Sequence, residues 1–356
     1  MGRLHSLDFL RAFAMLLGLV IHAPIIFYDP TILLIFEIYD KPQQELWVWI
    51  ILLFITNWRM PLFFMLSGFF SIMIIHKRGV PKFLWDRIIR IGFTCLLFCL
   101  IFDLLDGRID FTLDHLWFLY YLLIFAFIFS FLYQIKSIKN LLTKSISPIV
   151  FLILLFSLIM VLPLAIILNS SNITGGIEFA FLEPAKTYTD IKIGNLIYYF
   201  LFFLAGSLFY FNQKWFNSIA RTKILILVSI LSIVIFLLQL GTGDFPIAFI
   251  LLKSINTLLW CLLFLGLATR FIISSSRLLT WLVELSYPIY LLHLMPIVFI
   301  SVTFYKAGFS QINIFLLSII FGLVSSIVLY YLLIKFTPLN WIVNGYSKSF
   351  LKFKFK

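Results

Sequence analysis

Charged side chains are scarce in this sequence, and their scarcity excludes a water-soluble protein. Only 12% of the 356 residues are Asp, Glu, Lys or Arg, whereas 63% are hydrophobic. Soluble domains carry about 25% charged and about 45–50% apolar residues. A soluble fold of this length would leave much of its apolar surface in water, because burial is limited by the ratio of surface to volume. The composition therefore predicts an integral membrane protein.

Cysteine is also rare, and the three that occur, Cys95, Cys99 and Cys261, lie inside apolar runs. None has a partner in a polar loop. The sequence therefore predicts no disulfide framework. The pattern favours small buried side chains over redox or metal chemistry, and no resident metal or cofactor is predicted.

Long polar stretches and internal repeats are missing as well. The longest segment between apolar runs, residues 169–193, is too short to fold as a soluble domain. The sequence therefore predicts a single membrane-embedded domain over residues 1–356, with its core at 8–336. A basic, aromatic tail at 337–356 is expected to lie on anionic lipid.

What the sequence has in abundance is apolar runs of 18 or more residues, each long enough to cross about 30 Å of hydrocarbon as a helix. They predict an all-α fold, a polytopic bundle of about ten transmembrane helices. The spans are predicted at approximately residues 9–28, 46–75, 83–104, 115–133, 148–168, 194–211, 222–240, 246–267, 279–301 and 310–335.

The loop charges predict an orientation. Most of the 27 Lys and Arg fall in loops on one side, and most of the 15 Asp and Glu fall at or beyond the opposite boundary. Because cytoplasmic loops are enriched in Lys and Arg, both termini are predicted to be cytoplasmic. The net charge of +12 is thus a topology signal, and membrane lipid rather than nucleic acid is the expected partner.

Ionisable residues inside the first span are candidates for function, because such groups are costly in a bilayer. Arg11 and His22 are separated by three turns plus about 20°, so they share one helix face about 16 Å apart. A structural histidine bonded to a neighbouring helix is the competing interpretation of His22.

The second span carries Arg59 and Ser67 on either side of Pro61. Pro61 lacks an amide donor and is expected to kink or break the helix. Broken helices within a bilayer usually line a cavity. Close helix packing through Ser67 and Gly68 is an equally good interpretation of the small residues.

Three further groups complete the candidate set. Arg87 and Arg90, three residues apart on one face, could bind phosphates, or could anchor the helix in lipid headgroups. His115 and Trp117 lie at the outer boundary. Span 9 carries Tyr290 and, in its outer half, His293. Arginines inside and imidazoles outside suit an anionic donor and proton transfer to or from a hydroxyl.

These motifs resemble membrane-bound acyltransferase family 3. The resemblance rests on five elements in order, with the matching residues written as they stand in the chain: Leu7-Asp8 with Leu10-Arg11-Ala12 and His22, Arg59-Met60 with Phe63-Phe64 and Ser67-Gly68-Phe69, Arg87-x-x-Arg90, His115-Leu116-Trp117-Phe118-Leu119, and Ile289-Tyr290-Leu291-x-His293. Within the family, the chain is most similar to a branch that succinylates osmoregulated periplasmic glucans.

The resemblance implies an enzyme of the bacterial inner membrane that moves a succinyl or acetyl group from cytoplasmic acyl-CoA to a periplasmic glycan hydroxyl. It makes His22, Arg11, His293 and Arg59 the expected catalytic residues. The expected substrate-binding residues are Arg87, Arg90, His115, Trp117, Ser67 and Tyr290. Lipopolysaccharide O-antigen is a second expected acceptor. A transporter or flippase without covalent chemistry, and a membrane scaffold, are the remaining readings of the charged residues.

Overall fold

The computed structural model describes residues 5–39, 42–105, 107, 110–145, 147–169, 182, 185–274 and 276–345. Nearly all of this part of the chain is helical. The main helices are α1 His5–His22, α2 Leu46–Arg78, α3 Val80–Leu105, α4 Trp117–Gln134, α5 Pro148–Asn169, α6 Ile193–Phe211, α7 Thr222–Leu240, α8 Pro246–Phe271, α9 Arg277–Leu292, α10 Leu294–Lys306 and α11 Gln311–Leu329.

The predicted all-α membrane bundle is confirmed. Within the described ranges, nine helices are long and apolar enough to cross a membrane, and there are ten if the bent pair α9 and α10 forms one span. The end of the predicted tail, residues 346–356, and residues 170–181 of the long loop lie outside the described residues.

Prolines account for the places where the predicted spans differ from the helices. The run predicted at 9–28 ends as a helix at His22, followed by a short helix Ile25–Tyr28. Pro24 explains the end, because the residue before a proline is disfavoured in helical conformation. The predicted break at Pro61 is wrong, since α2 continues through it from Leu46 to Arg78.

Contacts group the chain into two compact units. Unit 1 takes Met1–Leu10 and Thr56–Ser274, and unit 2 takes Arg11–Ile55 and Ser275–Lys356. The boundaries fall inside α1 and α2, so each of these helices contributes residues to both units.

Unit 1 has a core of phenylalanine rings. Phe64 on α2, Phe125 on α4 and Phe203 on α6 are buried, and their ring centroids lie 5.3 Å apart for Phe64–Phe125 and 5.8 Å for Phe125–Phe203. Aromatic pairs at such distances contribute about 0.5–1.5 kcal/mol beyond area burial. In lipid, where apolar burial does not drive helices together, this packing is what holds the unit.

Two glycines let α2 and α6 touch backbone to backbone. A Cβ built on Gly68 would lie 1.8 Å from the Phe203 carbonyl oxygen, and one built on Gly206 would lie 1.7 Å from the Met65 carbonyl oxygen. No side chain fits at either position. The packing interpretation of Gly68 is therefore confirmed.

A buried carboxylate organises the loop between α3 and α4. Asp103, fully buried, accepts hydrogen bonds from the backbone N–H groups of Asp110, Phe111 and Thr112 and from the Thr112 hydroxyl. The loop needs this support, because Phe111 and Asp114 adopt positive φ values that non-glycine residues rarely take.

A second loop, residues 185–190, packs onto the first. Thr187 forms a bridge with Thr112, and the Tyr120 hydroxyl donates to the Tyr188 carbonyl at 2.9 Å. The Tyr188 side chain reaches the two thiols of α3, with its oxygen 3.6 Å from Cys95 Sγ and 3.5 Å from Cys99 Sγ. Burial raises the pKa of Tyr188 above its ordinary value, so its hydroxyl stays protonated.

Unit 2 is built around α10 and α11. The short helices Ile25–Tyr28 and Pro30–Ile35 bury Ile26, Phe27 and Leu33 against side chains that include Val298 and Ile314. The Tyr28 hydroxyl donates back to the Ile21 carbonyl at 3.1 Å. These contacts fix the chain directly after His22.

Replacing Gly68 by Ala is expected to destabilise the protein by about 3 kcal/mol or more, because two backbones would have to separate. Thermal unfolding of the purified protein in detergent measures this. Gly243→Ala is the matched control, since nothing lies within 4 Å of a Cβ built there. Equal melting temperatures for the two variants would contradict the packing role.

Asp103→Asn is expected to destabilise by about 1–3 kcal/mol, since an amide has one oxygen to accept the bonds that two carboxylate oxygens accept now. Asp244→Asn, at an exposed turn, should change nothing. The readout is the melting temperature together with the rate at which a protease cuts the 110–116 loop. Unchanged cleavage in Asp103→Asn would show that the carboxylate does not hold the loop.

Candidate functional site

The first candidate element is α1, which carries both Arg11 and His22 in one uninterrupted helix. His22 is its last residue and is partly exposed. Eleven residues of helix rise separate the two side chains by about 16 Å. Arg11 therefore lies well away from the imidazole, as its spacing in the sequence predicts.

The second element is the break between α9 and α10. The sequence predicts one span at 279–301, but the chain bends by 66° at His293. Pro296 explains the position, because it has no N–H for the Leu292 carbonyl and suits the first turn of a new helix, where no such bond is made. The break places His293 at the junction of two helices, fully buried.

The structure brings His22 and His293 together inside unit 2. Their ring centroids are 5.3 Å apart, and the Tyr290 ring lies 5.1 Å from His293. His293 Nδ1 lies 2.7 Å from the Tyr290 carbonyl oxygen. Since a carbonyl only accepts, Nδ1 carries the proton, and Nε2 holds the lone pair when the ring is neutral. One backbone bond thus sets the tautomer and the orientation of this imidazole.

In unit 1, Arg59 and Trp117 flank one tyrosine. Arg59 is buried and interacts electrostatically with Tyr199 on α6. The Tyr199 ring lies 5.5 Å from Trp117 and 4.8 Å from Phe64. A buried cation, phenolic hydroxyls and an indole that is only partly buried therefore occupy one region of the unit.

Arg87 and Arg90 stand where α3 changes its helical form. Ile88–Phe93 is a π-helical segment, a rare form that is common at functional sites. The Arg87 guanidinium lies over the Phe83 ring at 5.1 Å, and Arg90 lies 3.9 Å from Asp86. Both arginines are partly exposed. They remain reachable by an anionic group.

Ser67 and His115 occupy separate positions in unit 1. The Ser67 hydroxyl donates to the Phe63 carbonyl of its own helix at 2.8 Å. His115 is buried, with its ring 5.5 Å from that of Phe102. Ser67 therefore lies next to the α2–α6 contact at Gly68, whereas His115 lies in the short helix Asp114–Leu116, directly after the residues that Asp103 binds.

Sequence reasoning missed Tyr199 and Tyr121, which complete the ring cluster around Trp117. The Trp117–Tyr121 distance is 5.4 Å and the Tyr121–Tyr199 distance is 6.3 Å. The doublet Tyr198-Tyr199 in an otherwise Phe- and Leu-rich span was the available signal, because buried hydroxyls in lipid need partners.

The arrangement suits proton transfer at His22 and anion binding at the arginines. Among the described residues, no group of three or more His, Cys, Asp or Glu is close enough to hold a metal ion.

Comparisons with known proteins identify relatives of part of the chain. Two similar relatives are the glucans biosynthesis protein C of Escherichia coli K12 and that of Escherichia coli O1:K1, each 32% identical over 94 residues. That segment covers 26% of this chain and only 23% of each relative. No solved structure matches the chain.

A family model described as an acyltransferase domain matches residues 4–335, nearly the whole chain. The match includes every helix described above and all ten predicted site residues. The chain therefore belongs to acyltransferase family 3 and is a membrane-embedded acyltransferase.

Proposed function

We propose that this acyltransferase moves an acyl group from a cytoplasmic acyl-CoA to a hydroxyl of a glycan outside the inner membrane, with His22 at the centre of the chemistry. The observation that carries the proposal is the imidazole pair in unit 2. His22 ends its helix partly exposed, and the buried His293 beside it is oriented by the Tyr290 carbonyl.

In the proposed reaction, the acceptor hydroxyl oxygen attacks the thioester carbonyl carbon. A C–O bond forms, the C–S bond breaks, and the hydroxyl proton passes through His22 to the leaving thiolate. In a second route, His22 itself takes the acyl group and passes it to the hydroxyl. In both routes His293 positions His22, because its own ring is held by a backbone bond.

The arginines have two proposed roles, which are to bind the donor and to stabilise the charge that develops at the reacting carbonyl. Arg87 and Arg90, partly exposed on a π-helical segment, bind phosphates of the donor, since a guanidinium matches phosphate geometry. Arg59, buried beside Tyr199, stabilises the oxyanion that develops on the thioester carbonyl. Arg11, on α1, positions the thioester end of the donor or shapes the inner cavity.

The acceptor is a glycan, and the similarity to glucans biosynthesis protein C favours a glucan over an O-antigen. Trp117 and Tyr290 would face the sugar with their rings, and His115 and Ser67 complete the expected binding residues. The proposed acyl group is succinyl or acetyl.

His22→Ala is expected to lower acyl transfer at least a hundredfold, because a positioned general base contributes about 10²–10⁴ in rate. The measurement is mass spectrometry of envelope glycans from a deletion strain carrying the variant. The missing mass names the acyl group, and the fraction that loses it names the acceptor.

His76→Ala is the matched control, since His76 is an exposed histidine at the end of α2 and packs beside Phe211. Wild-type acylation by a normally produced His22→Ala protein would overturn the assignment. Mass analysis of peptides after incubation with acyl-CoA alone separates the two routes, since only the second leaves an acyl group on His22.

Arg87→Gln and Arg90→Gln are each expected to raise KM for acyl-CoA about tenfold or more with kcat little changed, because they remove binding shared by ground state and transition state. Lys at either position should restore only part of the affinity, since an ammonium cannot bind bidentately.

Arg78→Gln provides the control, as Arg78 is an exposed arginine at the end of α2. Steady-state kinetics of the purified protein in nanodiscs give both constants. A fall in kcat with KM unchanged would place the pair at the chemistry instead of at the donor.

A further inference from the structure

Two thiols and one phenol meet beside the loop 185–190, in a part of unit 1 that the proposed acyl transfer does not use. Cys95 and Cys99 stand one turn apart on α3 and are 2% and 0% exposed. The Tyr188 oxygen lies 3.6 Å from Cys95 Sγ and 3.5 Å from Cys99 Sγ, and the two thiols hydrogen-bond to each other. The sequence pattern favours packing alone for these cysteines, and the structure adds the convergence of three polar groups.

The helix keeps the two thiols from forming a disulfide. The segment Thr94–Leu105 is α-helical, and Cβ atoms four residues apart on an α-helix are about 5–6 Å apart. A disulfide requires its two Cβ atoms about 3.5–4.5 Å apart, so the bond would form only if this turn unwound. A metal ion held between two sulfurs, each at about 2.3 Å, spans about 4.6 Å from sulfur to sulfur. The spacing is therefore too wide for a disulfide and suits a bridging ion.

The groups present select a soft metal ion of low coordination number. Thiolate sulfur prefers Cu(I) to hard cations such as Mg²⁺ and Ca²⁺. Zn²⁺ takes at least three protein ligands, and within the described ranges no three His, Cys, Asp or Glu residues stand close enough to supply them. Tyr188 is not a third ligand, because burial raises the pKa of its hydroxyl, which stays protonated. Cu(I) is stable with two thiolates, so the cysteine pair suffices.

The surroundings of the thiols favour a cation. Asp103 and Asp114 lie close enough to act electrostatically on Cys99, so the local field is negative. That field disfavours a thiolate on its own and favours a positive ion beside it. The Tyr188 hydroxyl donates to Cys99 Sγ and would stabilise its thiolate, as outer hydrogen bonds do in metal sites. Because Tyr188 is partly exposed, it also connects the buried thiols to the surface and marks an entry path.

We propose that Cys95 and Cys99 bind one Cu(I) ion, with Tyr188 as the outer hydrogen-bond donor. On binding, two S–H bonds break, two Cu–S bonds form and two protons leave to solvent. No electron is transferred, because copper enters as Cu(I). The bound ion would hold Tyr188, and with it the loop 185–190, against α3. None of these residues takes part in the proposed acyl transfer.

The test is competition for Cu(I) between the purified full chain in nanodiscs and the chromophoric chelator bicinchoninate, under anaerobic reducing conditions. Wild-type protein is expected to bind one Cu(I) that the double variant Cys95→Ser, Cys99→Ser does not bind. Each single variant should raise Kd about a hundredfold or more, since even the outer partners of a metal site typically contribute about 10–100-fold. Tyr188→Phe, which keeps the ring and removes the hydroxyl, should raise Kd about tenfold.

Cys261→Ser is the matched control, since Cys261 is a buried cysteine on α8 whose thiol contacts the Trp58 carbonyl at 3.8 Å. It should leave Kd unchanged. Melting temperatures without copper show whether each variant is folded, and added Cu(I) should raise that of wild type but not that of Cys99→Ser. X-ray absorption at the copper edge of the wild-type protein, which needs no variant, should show sulfur neighbours.

Three results would each overturn the proposal. The first is Cu(I) binding that is the same in wild type and the double variant, or a copper ion without sulfur neighbours. The second is displacement of Cu(I) by Zn²⁺, which would refute the choice of ion. The third is a Cys95–Cys99 disulfide, found by peptide mass analysis after mild oxidation. All of these measurements are made without acyl transfer, so they stand whether or not the proposed function holds.

Discussion

The backbone contact between α2 and α6 is the constraint on which unit 1 depends. Gly68 and Gly206 each lie against a carbonyl of the other helix. Only at this distance can Phe64 of α2 reach the Tyr199 ring of α6 at 4.8 Å. Tyr199 in turn contacts Trp117 and interacts with Arg59. Lipid offers no hydrophobic force that would bring the helices together. The position of Arg59 therefore depends on the close approach that Gly68 and Gly206 allow, because neither residue has a side chain.

In unit 2, prolines determine where the candidate site residues lie, as glycines do in unit 1. Pro24 follows the end of α1 at His22, and Pro296 follows the bend at His293. Each imidazole therefore stands at a helix end, where its ring can reach a neighbouring helix. Here the Tyr290 carbonyl, one turn before the break, is near enough to fix the His293 tautomer.

The fold could be predicted from the sequence because many separate features indicate the same fold class. Long apolar runs and loop charges each repeat about ten times, so an error at one place does not alter the class. The site could be predicted in part. The spacing of Arg11 and His22 on one helix needs only the helical period, but the approach of His293 to His22 depends on a 66° bend that a hydropathy run does not reveal. Pro296 is the residue in the sequence that could have indicated the bend, because a proline in the first turn of a helix costs no hydrogen bond. Pro61 suggested a break more strongly, yet it lies inside an unbroken helix.

Helix α3 carries charged residues of two kinds. One kind is engaged by the fold, and the other is placed where a ligand can reach it. Asp103 is the first kind, since four donors surround its carboxylate and it holds a loop. Arg87 and Arg90 are the second kind, partly exposed on a π-helical segment that leaves helix geometry irregular. The same helix thus holds a loop near one end and presents two cations near the other.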